Sequence, residues 1–221
     1  MKKLIFILAA LAAVAALSSC AGIITVRNPN ISKQAAAAGD DNTPQTPVKF
    51  EDFENGSIAG SYSYANTAGG ASAMYSISSE NPNKGNYCAK SVFNSGTDSD
   101  WGCGFGSGST YGGYVDAKGR NALSVWAKAP ANVTFYFFVN ESGANGADGE
   151  FWNSPQQAGT GDWKEYIVPF DEFFRNIYSG VQDGNYEFDA SGIGTVGAQI
   201  GGAQGKGELF IDNIYFVKKN F

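Results

Sequence analysis

The end of the chain alternates apolar and polar residues in the way that a half-buried β-strand does. Residues 208–216, ELFIDNIYF, carry β-branched and aromatic side chains at a period of two. Asp212 and Asn213 interrupt this pattern, and a buried carboxylate needs a partner. Further carboxylates occur near the start of the domain, in FEDFENG at 50–56. The pattern suggests that the first and last strands lie together and that their carboxylates share a calcium ion.

The chain between these two ends consists of short apolar or alternating stretches separated by glycine-rich turns. We predict further strands at 61–64, 74–77, 87–93, 101–106, 122–128, 133–140, 163–169 and 196–200. Residues 171–177, which follow Pro169, are predicted to form a short helix with Asp171 as its N-cap. Many short strands with such turns are typical of an all-β fold, here a two-sheet antiparallel β-sandwich or jelly roll.

The first 19 residues have the pattern of a secretory signal peptide. Lys2 and Lys3 precede an apolar run of 14 residues, which is too short to cross a bilayer comfortably. The sequence LSSC at 17–20 resembles a bacterial lipobox, whose cysteine is acylated, so Cys20 is the expected lipidation site. The alternative is an ordinary signal peptide with an incidental cysteine. Ala21 resembles the residue found at this position in lipoproteins exported to an outer membrane, so we expect a lipid-anchored protein of the bacterial cell envelope, at the outer membrane.

Residues 20–47 are expected to form a flexible linker that begins at the lipidated cysteine. They include four successive alanines, two aspartates and three prolines, with no sustained periodicity that would bury apolar area. The remaining residues, 48–221, have the length of one ordinary domain.

Net charge and composition exclude several classes of function. The chain has 21 acidic and 15 basic residues, and loss of Lys2 and Lys3 with the signal peptide leaves 13 − 21 = −8. A net anion is not attracted to nucleic acid, so we expect no such partner. The chain contains no histidine, which excludes an imidazole base and a histidine-ligated metal.

Two cysteines remain in the exported domain. Cys88 and Cys103 lie 15 positions apart, on what look like adjacent strands. In an oxidising compartment this arrangement favours a disulfide, worth about 3 kcal/mol in the chain-entropy model. The alternative is two free thiols.

The stretch TFYFFVN at 134–140 is the most informative strand for function. A period of two places Phe135 and its alternate neighbours on one face, as expected for a core. The opposite face carries Tyr136 and Phe138 between the polar residues Thr134 and Asn140. An aromatic surface flanked by polar residues often marks a binding site.

Several motifs occur in an order that resembles a known family. They are FENG at 53–56, KG at 84–85, LSVWAK at 123–128, GDWKEYIVPF at 161–170 and FIDN at 210–213. Together they resemble the galactose-binding-like jelly-roll modules of bacterial carbohydrate-binding families, nearest to carbohydrate-binding module family 11 and its CIA30-like relatives. The resemblance covers 48–221 and implies two antiparallel sheets, a structural calcium ion and a concave glycan-binding face.

The resemblance also implies which residues bind the calcium ion. Glu54 and Asp212 match the family's carboxylate ligands, and the turn at 84–86 matches its carbonyl ligands. Asp52 is a weaker candidate, which shares a face with Glu54 if the strand is regular. Asn213 replaces a second aspartate found in many relatives. The alternative is that these carboxylates are only solvated or hydrogen-bonded at a sheet end.

The concave face implied by the resemblance brings together aromatic and amide side chains for sugar binding. The expected ligand-binding residues are Tyr136, Trp101, Phe138, Tyr62, Tyr64, Trp152 and Gln199, and the expected hydrogen-bonding partners also include Asp100, Glu150 and Arg175. Ordinary core packing is the alternative for each aromatic residue. Trp163 is expected in the core or between the sheets, and Trp126 against a neighbouring strand.

Three functions are compatible with this sequence. The first is a non-catalytic, lipid-anchored protein that binds a polysaccharide or oligosaccharide on the concave face. The second is a structural or adhesion lipoprotein that uses the same sandwich for protein contact, because a jelly roll does not itself imply sugar binding. The third is a glycosidase, which needs two carboxylates facing one cleft, but no such pair stands out among Glu141, Asp148, Glu150 and Asp162. We therefore predict that the protein is not an enzyme.

Overall fold

The computed structural model describes residues 45–58, 60–144 and 147–221. The predicted signal peptide, the lipidation site Cys20 and most of the predicted linker lie outside the described residues.

Thirteen strands occur in the described part of the chain. They are β1 (Val48–Glu51), β2 (Tyr62–Ala65), β3 (Ala71–Ser78), β4 (Cys88–Ser95), β5 (Cys103–Ser107), β6 (Ala122–Lys128), β7 (Thr134–Glu141), β8 (Glu150–Asn153), β9 (Gln157–Ala158), β10 (Lys164–Pro169), β11 (Phe174–Gly180), β12 (Ile193–Ile200) and β13 (Lys206–Val217). Two short 3₁₀ helices, Thr67–Gly69 and Phe170–Glu172, complete the regular structure of the described ranges. None of these helices is long and apolar enough to cross a membrane.

The strands form two antiparallel sheets that pack face to face, so the predicted all-β sandwich is confirmed. Sheet A has the order β10-β6-β13-β4-β3, with β1 added on β13. Sheet B has the order β11-β8-β7-β12-β5-β2, with β9 added on β7. Val48 of β1 pairs with Phe216 of β13, which confirms that the first and last strands lie together.

The core between the sheets is built largely from phenylalanine. Phe50, Phe135, Phe137 and Phe216 are fully buried, and the ring of Phe50 meets that of Phe216 edge-on at 5.9 Å. Each comes from a strand whose alternate residues face outward, so the period of two in the sequence decides which side chains enter the core.

The helix predicted at 171–177 is wrong. A single 3₁₀ turn covers Phe170–Glu172, and its N-cap is Pro169 rather than Asp171. Phe173 is extended, and the chain then enters β11, which pairs with β8. Phe170 and Phe173 are both buried against the core, so tertiary packing overrides the local helix signal.

The predicted disulfide is also wrong, because Cys88 and Cys103 are both free thiols. They lie on β4 and β5, which belong to opposite sheets rather than being neighbours. Cys103 faces the core, whereas Cys88 alternates with the core residue Ala89 and faces the outer side of sheet A. Its Sγ donates to the carbonyl oxygen of Glu80 at 3.5 Å. Burial raises the pKa of Cys88 to about 12 and that of Cys103 to about 11.

Candidate functional site

The centre of sheet B exposes an aromatic outer face, as the alternation in β7 predicts. Phe135, Phe137 and Val139 are fully buried in the core. Tyr136 and Phe138 alternate with them and therefore point away from the core.

Cross-strand register brings the predicted binding residues of other strands to the same surface. Tyr62 and Tyr64 of β2 lie opposite Gly106 and Gly104 of β5. Gly104 in turn lies opposite Gln199 of β12, and Gln199 lies opposite Tyr136. Directly opposite residues share a face of the sheet. We call this surface the aromatic face and define it by Tyr62, Tyr64, Trp101, Tyr136, Phe138 and Gln199.

Three glycines let the aromatic side chains extend across neighbouring strands. A Cβ atom on Gly106 would lie 2.8 Å from Cζ of Tyr62, and one on Gly104 would lie 2.5 Å from the hydroxyl of Tyr64. A Cβ atom on Gly197 would overlap the ring of Phe138. The alternation of glycines with Cys103 and Phe105 in β5 signals a strand face without side chains, which the sequence-based interpretation did not use.

A row of three rings runs along this face at regular spacing. The ring centroids of Tyr62 and Tyr64 are 6.1 Å apart with 32° between their planes. Those of Tyr64 and Trp101 are 6.0 Å apart with 28° between their planes. Trp101 is 42% exposed and Tyr62 is 41% exposed, with the half-buried Tyr64 between them. The row therefore offers accessible ring surface at both of its ends.

The tyrosine hydroxyls of this face stay protonated at physiological pH. Burial raises the pKa of Tyr136 to about 12 and also raises the pKa of Tyr62 and Tyr64. A neutral hydroxyl both donates and accepts hydrogen bonds, which suits recognition of another hydroxyl.

The loop that carries Trp101 is tied to the sheet by hydrogen bonds. Gln199 Nε2 donates to the carbonyl oxygen of Trp101 at 2.8 Å. Asn66 donates from Nδ2 to Oδ2 of Asp100 at 3.1 Å, so this carboxylate supports the loop. Trp101 is therefore exposed on an anchored segment.

Two of the predicted binding residues are not accessible. Trp152 is fully buried, and its ring packs edge-on against Phe188 at 5.8 Å. The register explains this, because Trp152 lies opposite the core residue Val139. Phe138 points outward but is only 2% exposed, since it is enclosed by the rings of Tyr64 and Phe151. It supports the aromatic face and does not present a free ring surface.

Phe151 is the aromatic residue that the sequence-based interpretation missed. It lies opposite Asn140 of β7, on the outer side of sheet B, and is half-buried. Its ring centroid is 5.6 Å from that of Phe138. Its position next to Trp152 was the available signal, because only one of two consecutive strand residues can face the core.

Glu150 and Arg175 pair with each other and are not available to a ligand on the aromatic face. Glu150 is fully buried, and its carboxylate forms an ion pair with the Arg175 guanidinium. The second Glu150 oxygen accepts from the backbone N–H of Tyr186 at 3.1 Å. The pair holds the segment after β11 against β8.

The tryptophans assigned to packing both lie half-buried on the outer side of sheet A. Trp163 Nε1 donates to the carbonyl oxygen of Asn81 at 2.9 Å, and its ring lies 6.3 Å from Phe210. The expectation that Trp163 lies in the core or between the sheets is therefore wrong, because its ring covers Phe210 on the outer side of sheet A. Trp126 lies between strand neighbours, opposite Glu165 and Asp212.

Asp212 and Glu54 approach the same turn, at 83–87, on the side of the molecule away from the aromatic face. Oδ2 of the fully buried Asp212 accepts from the backbone N–H groups of Asn83 at 2.9 Å and Lys84 at 3.1 Å. Burial raises the pKa of Asp212 to about 6, although these N–H groups lower it, and the Glu54 charge raises it further. Glu54 accepts from the backbone N–H groups of Asn86 at 3.0 Å and Tyr87 at 3.1 Å.

Unpartnered polar atoms at this turn fit a cation. Asp212 Oδ1 is buried without a hydrogen-bond partner among the described residues, and so are the Nδ2 atoms of Asn83 and Asn213. Reversal of either amide would present a carbonyl oxygen, a ligand that calcium accepts. A Cβ atom on Gly85 would overlap the Glu54 carboxylate, so the glycine makes room for it.

Asp52 does not join this pair. Its Oδ2 forms an ion pair with Lys49 at 2.8 Å. The prediction that Asp52 shares a face with Glu54 required a regular strand, but β1 ends at Glu51 and Phe53 has a φ of 60°. The positive φ turns the chain between the two carboxylates.

A different group of carboxylates lies at the end of β7. Oxygen atoms of Glu141, Asp148 and Asp189 lie within 4.8 Å of one another. The buried Glu141 carboxylate accepts from the backbone N–H groups of Asp189 at 2.9 Å and Asp148 at 3.3 Å. Burial raises its pKa to about 7. These bonds join three chain segments, and Glu141 continues the core-facing side of β7, away from the aromatic face.

Comparison with known proteins identifies the family. The chain matches the model of the carbohydrate binding domain (family 11) over residues 40–219. A family 11 carbohydrate-binding module from Clostridium thermocellum, solved with a β-1,3-1,4-mixed-linked tetrasaccharide, is similar with a TM-score of 0.59 and 20% identity, covering 79% of this chain and 97% of that chain. The family 11 module of a cellulosomal cellulase of Clostridium thermocellum gives a TM-score of 0.58 and 22% identity, over 79% and 95% of the two chains.

No curated protein sequence matches this chain. The family model nevertheless spans all thirteen strands of the sandwich, and the two modules share its architecture. The chain therefore belongs to the family 11 carbohydrate-binding domains, which are non-catalytic modules.

Proposed function

We propose that this protein is a non-catalytic, lipid-anchored protein of the bacterial cell envelope that binds a polysaccharide or oligosaccharide on its aromatic face. The observation that supports the site is the row formed by Tyr62, Tyr64 and Trp101, with ring centroids 6.1 and 6.0 Å apart. Consecutive sugar rings would place their apolar C–H faces on these rings, and the hydroxyls of Tyr62 and Tyr136 would exchange hydrogen bonds with sugar hydroxyls.

Affinity gel electrophoresis of residues 45–221 tests this proposal. The panel contains mixed-linked β-1,3-1,4-glucan, the linkage bound by the similar module, together with xylan, mannan and pectin. We expect at least one polysaccharide to retard the protein. Trp101→Ala should weaken binding by roughly 30-fold, the effect of removing an aromatic hot spot worth about 2 kcal/mol.

The matched control is Trp163→Phe, which alters a half-buried tryptophan on the other sheet and should leave retardation unchanged. Failure of every polysaccharide in a broad panel to retard the wild-type protein would contradict the proposal. It would favour the alternative of a structural or adhesion lipoprotein that uses the sandwich for protein contact.

The membrane anchor is a separate part of the proposal. It is supported by the lipobox-like sequence LSSC at 17–20, and multiple acyl chains on Cys20 would give stable anchoring. In a bacterial host, metabolic labelling with palmitate should mark the wild-type protein and not Cys20→Ala, and the wild type should fractionate with the outer membrane. Equal labelling of the two proteins would contradict acylation at Cys20.

We further propose that Glu54 and Asp212 bind a structural calcium ion, supported by the unpartnered Oδ1 of Asp212. When bound, the ion supplies positive charge that compensates the two carboxylates and ties the turn at 83–87 to β13. Calcium titration of metal-stripped protein should raise the melting temperature, and Asp212→Asn should abolish this rise while Asp52→Asn keeps it. A wild-type melting temperature that does not change when calcium is added would contradict the proposed calcium site.

A further inference from the structure

Gln199 lies in the middle of the aromatic face, and the protein itself engages both ends of its side-chain amide. Its Oε1 accepts a hydrogen bond from the hydroxyl of Tyr64 at 2.9 Å. Its Nε2 donates to the backbone carbonyl oxygen of Trp101 at 2.8 Å. The acceptor end and the donor end of the amide are therefore each committed to one of two neighbouring rings.

This amide joins three elements that are not consecutive in the sheet. Gln199 belongs to β12 and Tyr64 to β2, with β5 between these two strands. Tyr64 reaches Gln199 by crossing β5 above Gly104, where a Cβ atom would lie 2.5 Å from the tyrosine hydroxyl. Trp101 lies in the loop just before β5. The bridge thus connects an edge-strand ring to a loop ring through a residue of the sheet interior.

Other hydrogen bonds position the Trp101 loop but act on the residues beside Trp101. The backbone N–H of Asn66 donates to the carbonyl oxygen of Gly102 at 2.8 Å. The backbone N–H of Gly202 donates to the carbonyl oxygen of Asp100 at 2.7 Å. The bond from Gln199 acts on the carbonyl of Trp101 itself, and so fixes the peptide plane that directly follows the Cα atom carrying the indole ring.

We infer that Gln199 is a positioning residue whose amide sets the relative orientation of the Tyr64 and Trp101 rings. These rings stack at 6.0 Å with 28° between their planes, and this geometry would specify how two adjacent sugar rings lie on them. The inference rests on the proposed sugar-binding function. It changes the role expected from the sequence, which was direct contact between Gln199 and the sugar.

The first test needs no ligand. Tryptophan emission of Tyr64→Phe and of Gln199→Met is compared with that of the same variants carrying Trp101→Ala, so that the difference isolates Trp101. We expect each substitution to shift the wavelength of the Trp101 emission maximum. The double variant Tyr64→Phe/Gln199→Met should show no further shift, because either change alone breaks the same hydrogen-bonded bridge. Unchanged Trp101 emission in both single variants would overturn the inference.

The second test measures affinity for mixed-linked β-1,3-1,4-glucan. Loss of one hydrogen-bonded bridge should weaken binding by about 3- to 10-fold in each single variant. The double variant should bind about as weakly as the weaker single variant. Effects that multiply in the double variant would show independent sugar contacts and would overturn the inference.

The control is Gln182→Met, which changes an exposed glutamine whose side-chain amide donates to the carbonyl oxygens of Ser179 and Gly180 at the end of β11, the strand at the opposite edge of sheet B from β2. It should leave both the Trp101 emission and the affinity unchanged. If wild-type protein binds none of the polysaccharides, the proposed function fails, and the ligand-free emission still decides whether the bridge orients Trp101. If wild-type protein binds and emission does not shift, only the positioning role fails.

Discussion

Individual side chains on the aromatic face differ in accessibility although they point in the same direction. Trp101 is 42% exposed and Phe138 is 2% exposed. Phe138 is covered because neighbouring rings close over it, while Trp101 lies on a loop at the end of the row. Alternation in a strand decides only the direction of a side chain, and its exposure depends on the neighbouring strands.

The same limitation explains which residue roles could be predicted from the sequence. Tyr136 was correctly placed outward because its own strand carries the signal. Trp152 was misplaced because the sequence GEFWN contains two consecutive aromatic residues, and only pairing with Val139 shows which of them enters the core. The convergence of Glu54 and Asp212 followed from a family motif, whereas the exclusion of Asp52 depends on the positive φ of Phe53.

Glu141 gives a prediction about pH. Burial raises its pKa from an ordinary 4.5 to about 7, so the folded state holds the proton more tightly than the unfolded state. The stability that this group contributes is full below about pH 4.5 and is lost as the pH rises through about 7. In calcium-free buffer, the free energy of unfolding of wild-type protein should fall across this window by up to about 3 kcal/mol more than that of Glu141→Gln.

Chemical denaturation at pH 4.5, 6 and 8 measures this difference, and Asp162→Asn provides a control at an exposed carboxylate. Parallel pH profiles of the wild type and Glu141→Gln would contradict the assigned pKa. The difference between the two proteins isolates Glu141 from other buried carboxylates such as Glu51, whose pKa is also raised by burial.

At the scale of whole elements, the strands were largely predictable because apolar residues alternate along them. The final strand was predicted with an interruption of its alternation at Asp212 and Asn213, and its pairing with β6 shifts between Asp212 and Tyr215, where Asn213 has a φ of 50°. The strand β11 was missed, because it is an edge strand with exposed residues such as Ile177 and Tyr178. Its pairing with β8 depends on distant sequence and leaves no local pattern.

The glycines of β5 give a prediction at this scale. The atoms nearest to a Cβ atom on Gly106 would belong to side chains, those of Tyr62 and Thr195, each at 2.8 Å. Gly106→Ala should therefore displace the Tyr62 ring at a cost in stability of about 1 kcal/mol and weaken glycan binding several-fold. Affinity electrophoresis and thermal melting measure the two effects.

The background Tyr62→Ala provides the control, since Gly106→Ala should have no further effect on affinity once the ring is removed. An equal loss of affinity in both backgrounds would show that Gly106 acts through something other than Tyr62.

At the scale of the whole molecule, the two ends of the domain, near Thr46 and Lys219, lie at the opposite end of the sandwich from Trp101. Arg120 donates to the carbonyl oxygen of Thr46, and Asn121 exchanges hydrogen bonds with Lys219. Arg120 and Asn121 closely follow Ala117, whose backbone N–H donates to the carbonyl oxygen of Ala190. Ala190 lies shortly before Ile193, so these contacts are near the first residue of β12. Trp101 precedes Cys103, which pairs with Ile200, the last residue of β12. Eight strand residues, about 25 Å, separate the two sites.

This arrangement predicts that an attachment at the N-terminal side does not obstruct the aromatic face. A fluorescent protein fused before residue 45 should leave the affinity for mixed-linked β-glucan within about twofold of the unfused domain, because that end of β12 is remote from Trp101. Affinity electrophoresis compares the two proteins. Loss of binding on fusion, with an unchanged melting temperature, would place the ligand near Thr46 and Lys219 instead.

Sugar binding on the aromatic face is tested most directly by nuclear magnetic resonance, as a chemical-shift titration of the isotope-labelled domain with a mixed-linked β-glucan oligosaccharide. We expect the largest shifts at Tyr62, Tyr64 and Trp101, smaller shifts at Tyr136 and Gln199, and none at Trp163. Saturable shifts centred on the outer side of sheet A, around Trp163 and Val92, would contradict the assignment of the aromatic face as the binding site.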